Sequence, residues 1–440
     1  MTGKYLNRKW SGPRGDGLLV APDASGDPAP GDPKLVEAQA YGASIGAPRG
    51  ANPGALATWD GWLATFGLPD AQPGEPRPAY RARTGTAVFY NQYETGLGHE
   101  LGCRPLPAPS THGSPSARGV ACFLVNYGAR HAPERSLSLA REGAERLNAF
   151  GITYRPDFKP EGADGYEVQF YAYDADGQRL DWARLDTMGP RPIPEVCLSC
   201  HGGSYDRERH LVRYARFLPI HVENLIFASP NDAPGARTED PEQVAPALNE
   251  LIALTPLTPR QRAALGGADG GEHDQARLGY RAAIPAGWRG GPEREDLYER
   301  VISPFCSSCH DAEMHDVTGG EKPIYKNFES YAAFLDSAIP ASLCGTFSMP
   351  NTQAGLARFW ATSDEGVVVR DARGTPRRYG SPADALLAAF GRSRGACEGL
   401  TRESDCRAQS DSVCGDQASG ARCGESGTCE PPARVEVEQR

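Results

Sequence analysis

The chain has 440 residues and a formal charge of −10, from 46 Lys and Arg against 56 Asp and Glu, which argues against a nucleic-acid partner because phosphate binding needs a basic surface. With 39% hydrophobic residues, 51 Gly and 38 Pro, a length beyond a single core suggests two or three loop-rich globular domains. No stretch approaches the roughly 20 apolar residues that span a bilayer, so no transmembrane segment is expected, and the acidic surface suits a soluble chain or a cationic docking partner.

Residues 1–33 read as a flexible leader, with Pro22, Pro28, Pro30 and Pro33 among Gly and Asp. Lys4, Arg8 and Lys9 open it, yet Ser11 to Pro33 is polar and not the apolar run of a secretory signal.

The next stretch, 34–185, reads as an α+β domain. A first helix is followed by a second across Gly54–Phe66, where Leu56, Trp59, Trp62, Leu63 and Phe66 recur at helical spacing. Thr86–Tyr90, Val120–Tyr127 and Glu167–Tyr173 are rich in Val, Phe and Tyr and predict strands, and Asp174-Ala175-Asp176-Gly177 predicts a hairpin turn into Arg179–Arg184. Between strands, Leu137, Ala140, Ala144 and Leu147 predict a helix over Pro133–Phe150. Pairing should be mainly antiparallel. Asp174 and Asp176 are turn chemistry, since their spacing does not continue as a calcium loop.

Two copies of Cys-x-x-Cys-His carry the chemistry: Cys197-Leu198-Ser199-Cys200-His201 and Cys306-Ser307-Ser308-Cys309-His310. The pentapeptide is the attachment site of a c-type haem. Two thiols about one helical turn apart can add to the two vinyl groups on one haem edge, and the adjoining histidine then ligates the iron. A shared structural zinc would place the pairs about 15–20 residues apart, whereas these begin at 197 and 306. A thioredoxin-like dithiol would appear once, after a strand, without the histidine. Two covalently bound haem c groups are therefore expected, on Cys197, Cys200, Cys306 and Cys309, with His201 and His310 as axial ligands.

The segment 186–285 would carry haem 1 and linker helices. Pro190, Pro192 and Pro194 force an extended approach to Cys197. A helix is expected over Asp206–Phe217, whose Arg207, Arg209, Arg213 and Arg216 are candidates for haem propionates or plain solvated charges; Pro241–Leu254 and Pro259–Leu265 read as linker helices. In 286–396, Pro292 opens a helix whose Leu297, Val301, Ile302 and Phe305 run into Cys306, as a small cytochrome c-like domain begins. Met349, in Phe347-Ser348-Met349-Pro350-Asn351, is the candidate sixth ligand of haem 2, a thioether that would raise its potential. Tyr325, Phe328, Tyr331, Phe334 and Phe359-Trp360 are candidates for its wall or for ordinary core. For haem 1 no sixth ligand stands out among His99, His112, His131, Met188, His210 and His221.

Of the other eight cysteines, Cys103 and Cys122 flank a Pro/Ser-rich loop and suit one bridge. Cys344, Cys397, Cys406, Cys414, Cys423 and Cys429 make an even set, and 397–440 reads as a small disulfide-held tail. Thioether haem and disulfides both point to a periplasmic or otherwise extracytoplasmic location. The missing signal peptide is then explained by a trimmed export segment or a start codon assigned too late.

In motif order, residues 35–395 resemble a functionally uncharacterised group of exported proteobacterial dihaem c-type cytochromes. The marks are the Trp-bearing Tyr41 to Leu68, Gly96 to Arg104, Cys122 to Gly128, Phe170 to Gly177, Cys197 to Gly203, Arg216 to Pro219, Cys306 to His310, and Met349-Pro350 ahead of Phe359-Trp360. In that group the segment before Cys103 often bears Met or His where this chain has Leu101 and Gly102, which implies a haem 1 ligand lost or moved to His99. The expected fold is multidomain: an α+β N-terminal domain, then mainly α-helical cytochrome c-like haem domains and a small disulfide-rich tail. The expected function is single-electron transfer between redox partner proteins; the alternative is a dihaem peroxidase or oxygenase with an open haem 1.

Overall fold

The computed structural model describes residues 33–45, 53–68, 75–106, 119–128, 132–158, 165–183, 191–221, 224–227, 241–265, 284–307, 310, 312, 328, 330–336, 353–361, 363, 365–393, 422–423 and 429–430. The leader apart from Pro33 therefore lies outside the described residues, as do all but four residues of the tail.

The chain opens with α1 (Pro33–Ser44), a 3-10 turn at Pro53–Ala57, α2 (Trp59–Thr65) and α3 (Arg77–Thr84). Strands β1 (Ala87–Asn91), β2 (Gly98–Pro105) and β3 (Val120–Tyr127) precede α4 (Pro133–Glu142), and β4 (Arg146–Tyr154) and β5 (Val168–Tyr173) follow it. Next come β6 (Trp182–Ala183), β7 (Arg191–Pro192), α5 (Glu195–His201), β8 (Ser204–Asp206), β9 (Leu211–Arg213), β10 (Leu225–Ile226), α6 (Pro241–Ile252) and α7 (Pro259–Ala264). The remainder is α8 (Pro292–Leu297) with a π-helical continuation Tyr298–Ser307, α9 (Tyr331–Leu335), α10 (Gln353–Trp360), β11 (Val367–Arg370), β12 (Pro376–Tyr379), α11 (Pro382–Ala389), β13 (Arg422–Cys423) and β14 (Cys429–Glu430).

A six-stranded sheet, ordered β10-β1-β2-β3-β4-β5, is antiparallel throughout. On one face Trp59 and Trp62 of α2, stacked with ring centroids 5.3 Å apart, meet Phe123, Tyr171 and Tyr173. Gly151 of β4 is required there because a Cβ would run into the Trp62 indole. Thr58 caps α2 by accepting the Gly61 N–H, so the helix expected over Gly54–Phe66 is divided into a 3-10 turn and a shorter α-helix.

Two expected helices are corrected. The helix from Pro133 stops at Glu142, because Gly143 takes a left-handed φ of 67° and returns its N–H to Leu139 and Ala140. Residues from Arg146 then form β4, which pairs with strands on both sides. Residues Asp206–Phe217 are a β8–β9 hairpin: Asp206 Oδ1 accepts the N–H groups of Glu208 and Arg209, and His210 and Tyr214 adopt φ of 54° and 61°. Its arginines have protein partners, Arg207 beside Glu37 and Arg209 on Asp206. The described residues of 186–285 are thus mixed α and β, not mainly helical. The predicted turn after β5 forms, but only Tyr173 and Arg179 bridge before the chain turns away to pair β6 with β7.

The apolar core under the sheet runs on without interruption into Ile193, Val196, Leu198, Leu211, Val212 and Phe217. A second core gathers Trp288, Leu297, Tyr298, Val301, Ile302, Phe334 and Phe359, so the protein is multidomain with mixed helices and open sheets. Arg370 of β11 clasps both carboxylate oxygens of Asp296 at 2.6 and 2.8 Å, fastening the hairpin to α8. That guanidinium holds the Asp296 carboxyl below its usual range. Among the described residues no helix is long and apolar enough to cross a membrane.

Candidate functional site

The first Cys-x-x-Cys-His is α5 itself. The extended approach expected from the prolines reaches only to Pro192, the end of β7. Ile193 and Pro194 turn the chain, with Pro194 at φ −95° and ψ 0°, and the Pro194 carbonyl accepts the N–H groups of Cys197 and Leu198 at 2.9 and 3.1 Å, starting one short helix. Gly202 and Gly203 end it with φ of 65° and 81°. Gly203 is obligatory: a Cβ would sit 2.5 Å from the Arg213 carbonyl oxygen and 2.6 Å from the Ala215 nitrogen. This tight reversal brings β9 and the residues after it back onto His201.

There a reciprocal clamp forms. The Arg216 N–H donates to the His201 carbonyl at 2.9 Å, and His201 Nδ1 lies 2.8 Å from the Arg216 carbonyl oxygen. A carbonyl can only accept, so Nδ1 carries the proton and the Nε2 lone pair is left to point elsewhere. No described residue hydrogen-bonds Nε2. The ring lies against Phe170 of β5, centroids 5.0 Å apart. Burial pushes the imidazole down to about 4, only partly countered by the Arg216 contact, so it is neutral at pH 7. A neutral imidazole, oriented through Nδ1–H by a backbone carbonyl, is the state in which histidine ligates a metal.

Cys197 and Cys200 remain thiols. Burial, reinforced by the charge Cys200 would carry, pushes the Cys197 thiol well up. That is opposite to a dithiol redox pair, whose reactive thiol is depressed. Among the described residues no three His, Cys, Asp or Glu side chains gather as a metal cluster.

Cys306 and Ser307 of the second motif end the π-helical segment, in which Pro304 supplies no donor. Leu297, Val301, Ile302 and Cys306 are buried as the periodicity requires. Phe305 stands edge-on to Tyr93 of the β1–β2 turn at 4.8 Å and to Phe359 at 5.6 Å. His310 packs on the Phe328 ring with centroids 4.5 Å apart. Phe328 and Phe334 belong to the second core, as the aromatic spacing suggested. Cys309 and Met349 lie outside the described residues, as do Met188, Met314, Tyr325, His112 and His131.

His99 is not brought to His201. Phe170 is in register with Ile152, that with Cys122, and that with Cys103; three strand spacings and four residues along β2 put His99 about 14 Å across and about 13 Å along from Phe170. It is buried, its Nε2 lies 2.9 Å from Thr95 Oγ1, and its ring packs on Phe89. Burial pushes it down to about 4 as well. The expected Cys103–Cys122 disulfide is present, across β2 and β3. His210 faces the Tyr205 hydroxyl at 3.2 Å.

Sequence reasoning missed Arg216 as the histidine's partner, Phe170 as its floor, and Arg260 and Gln261 of α7. Only the last had a local signal. Thr258-x-x-Gln261 is a capping box, in which Gln261 Oε1 accepts the Thr258 N–H and Thr258 Oγ1 accepts the Gln261 N–H. No family model, no curated protein and no solved structure matches the chain.

Proposed function

We propose that the protein is an extracytoplasmic dihaem c-type cytochrome that passes single electrons between redox partner proteins. Haem 1 is assigned to Cys197, Cys200 and His201, and haem 2 to Cys306, Cys309, His310 and Met349. The observation that carries this reading is the His201 clamp: directly after the Cys197 and Cys200 thiols, a neutral imidazole is held by Nδ1–H with its Nε2 lone pair unclaimed by any described residue. Donor set and protonation state both fit the group.

Bound haem supplies a reversible one-electron iron couple whose potential follows axial ligand and burial. The chain does the rest. Cys197 and Cys200, one turn apart on α5, offer the thiols for thioether links, Arg216 fixes the ring of His201, and Phe170 closes one side of it to water. For 286–396 the helix entering Cys306 and the aromatic shell of Phe305, Phe328, Phe334 and Phe359 support a cytochrome c-like domain. The Cys103–Cys122 disulfide supports an oxidising compartment.

Export of the chain together with a cytochrome maturation system tests the reading. It predicts a Soret band and an intact mass raised by two covalent haems; colourless, properly exported protein refutes it.

His99's distance from His201 favours a second reading, in which haem 1 keeps an open position and the protein is a dihaem oxidoreductase acting on peroxide or oxygen. Carbon monoxide added to the reduced protein separates the two: a spectral change at one haem supports the oxidoreductase, and no change supports the pure carrier.

A further inference from the structure

The two motifs are far apart in sequence, yet one short helix bonds to a residue of the second and to the neighbour of the first motif's histidine partner. The Arg216 carbonyl that accepts from His201 belongs to the Arg216–Phe217 peptide. The next carbonyl, that of Phe217, accepts a 2.7 Å hydrogen bond from Gln261 Nε2. Gln261 is fully buried. Its chain neighbour Arg260 donates from a guanidinium nitrogen to Ser307 Oγ at 3.2 Å, inside the second pentapeptide and next to Cys306. The same guanidinium lies 5.3 Å over the ring of Phe328, which packs on His310. The path therefore leads from the histidine of one motif to a filler residue and the histidine of the other.

We infer that Arg260 and Gln261 of α7 form the electron route between the two haem sites. The inference rests on the dihaem reading and deepens it. Tunnelling decays more steeply through empty space than along covalent and hydrogen bonds, and this route is bonded at every step as far as Ser307. The transfer oxidises one site by one electron and reduces the other by one, with no bond made and no proton required. Gln261 is locked in place by its capping box, so the bridge is held before any electron moves.

Gln261→Met is the sharpest test. The side chain keeps its length and has an apolar character suited to burial, but it has no hydrogen to give the Phe217 carbonyl. Arg260→Met, made separately, removes the contacts to Ser307 and Phe328. In the full-length holoprotein, one haem is reduced by a flash-generated flavin reductant and the redistribution between haems is followed by absorbance. The inference predicts a several-fold slower redistribution in both variants after correction for the driving force given by each variant's measured midpoint potentials, with visible spectra unchanged. In the full-length holoprotein Gln261→Met should also lower the unfolding midpoint, since the buried Phe217 carbonyl loses its donor. An unchanged redistribution rate overturns the bridge. So does an unmoved unfolding midpoint, which would mean that the contact is not made. Failure of the dihaem reading shows itself separately, as wild-type protein without a Soret band.

Discussion

Tyr41 supplies the open edge of the sheet with a side-chain substitute for a strand: its hydroxyl accepts the Phe170 N–H at 2.8 Å and donates to the Phe170 carbonyl at 3.1 Å. β5 is the last strand of the sheet, and Phe170 is the residue on which His201 rests. Burial pushes the phenol well above its ordinary value, so it stays a donor. One residue earlier, Gln169 treats Val212 of β9 similarly, donating to its carbonyl at 3.1 Å and accepting its N–H at 3.3 Å. Tyr41→Phe should leave two buried backbone groups without a partner and cost about 1–3 kcal/mol. Urea unfolding of the haem-free chain measures this, and an unshifted midpoint would mean that the edge is capped by something else.

His201→Gly should retain the thioether links while removing one axial ligand. One of the two haems is expected to become high-spin, and added imidazole should restore the low-spin spectrum by taking the vacated place beside Phe170. Two unaffected haems would remove His201 from the iron.

Met349→Ala should lower the midpoint potential of one haem and admit exogenous ligands there, because a thioether ligand favours Fe(II). The other haem should titrate as before. A redox titration identical to wild type retires the assignment.

Cys197→Ser and Cys306→Ser should each weaken attachment at their own site alone. Peptide mass spectrometry reads this directly: haem lost from both peptides together would contradict two independent attachment sites.

The pH dependence of the haem-free chain carries a signature of His99. Its folded value of about 4 lies below the ordinary 6.5, so between these values the unfolded chain binds the extra proton. Stability from this group is therefore complete above about pH 6.5 and declines as the pH falls towards 4. His99→Gln removes the titration but keeps a polar atom near Thr95. The dependence of unfolding free energy on pH should flatten by about one proton in that window. An unaltered slope would mean that His99 titrates normally.

Local chemistry in the sequence was enough to place the strands near 87–91, 120–127 and 168–173, the helices from Pro241, Pro259 and Pro292, and the Cys103–Cys122 bridge. Those segments carry their own periodicity or turn residues. The stretch Arg146–Tyr154 did not, because Ala144 and Leu147 satisfy helical spacing as well as Phe150 and Ile152 satisfy alternation. Gly143 was the local sign that the helix ends there. In 206–217 the arginines suggested a solvated helix face, while the Asx turn at Asp206 and the left-handed His210 and Tyr214 produce a hairpin.

The sequence by itself determined where the proposed haem attachment would lie, because Cys-x-x-Cys-His works over one helical turn and needs no distant residue to set its spacing. Which groups surround that turn was decided only by tertiary structure. His201 owes its tautomer to Arg216, its floor to Phe170 and its separation from His99 to the register of four strands. Strand register and the return of a chain after two glycines are non-local, fixed by how the sheet and its core pack.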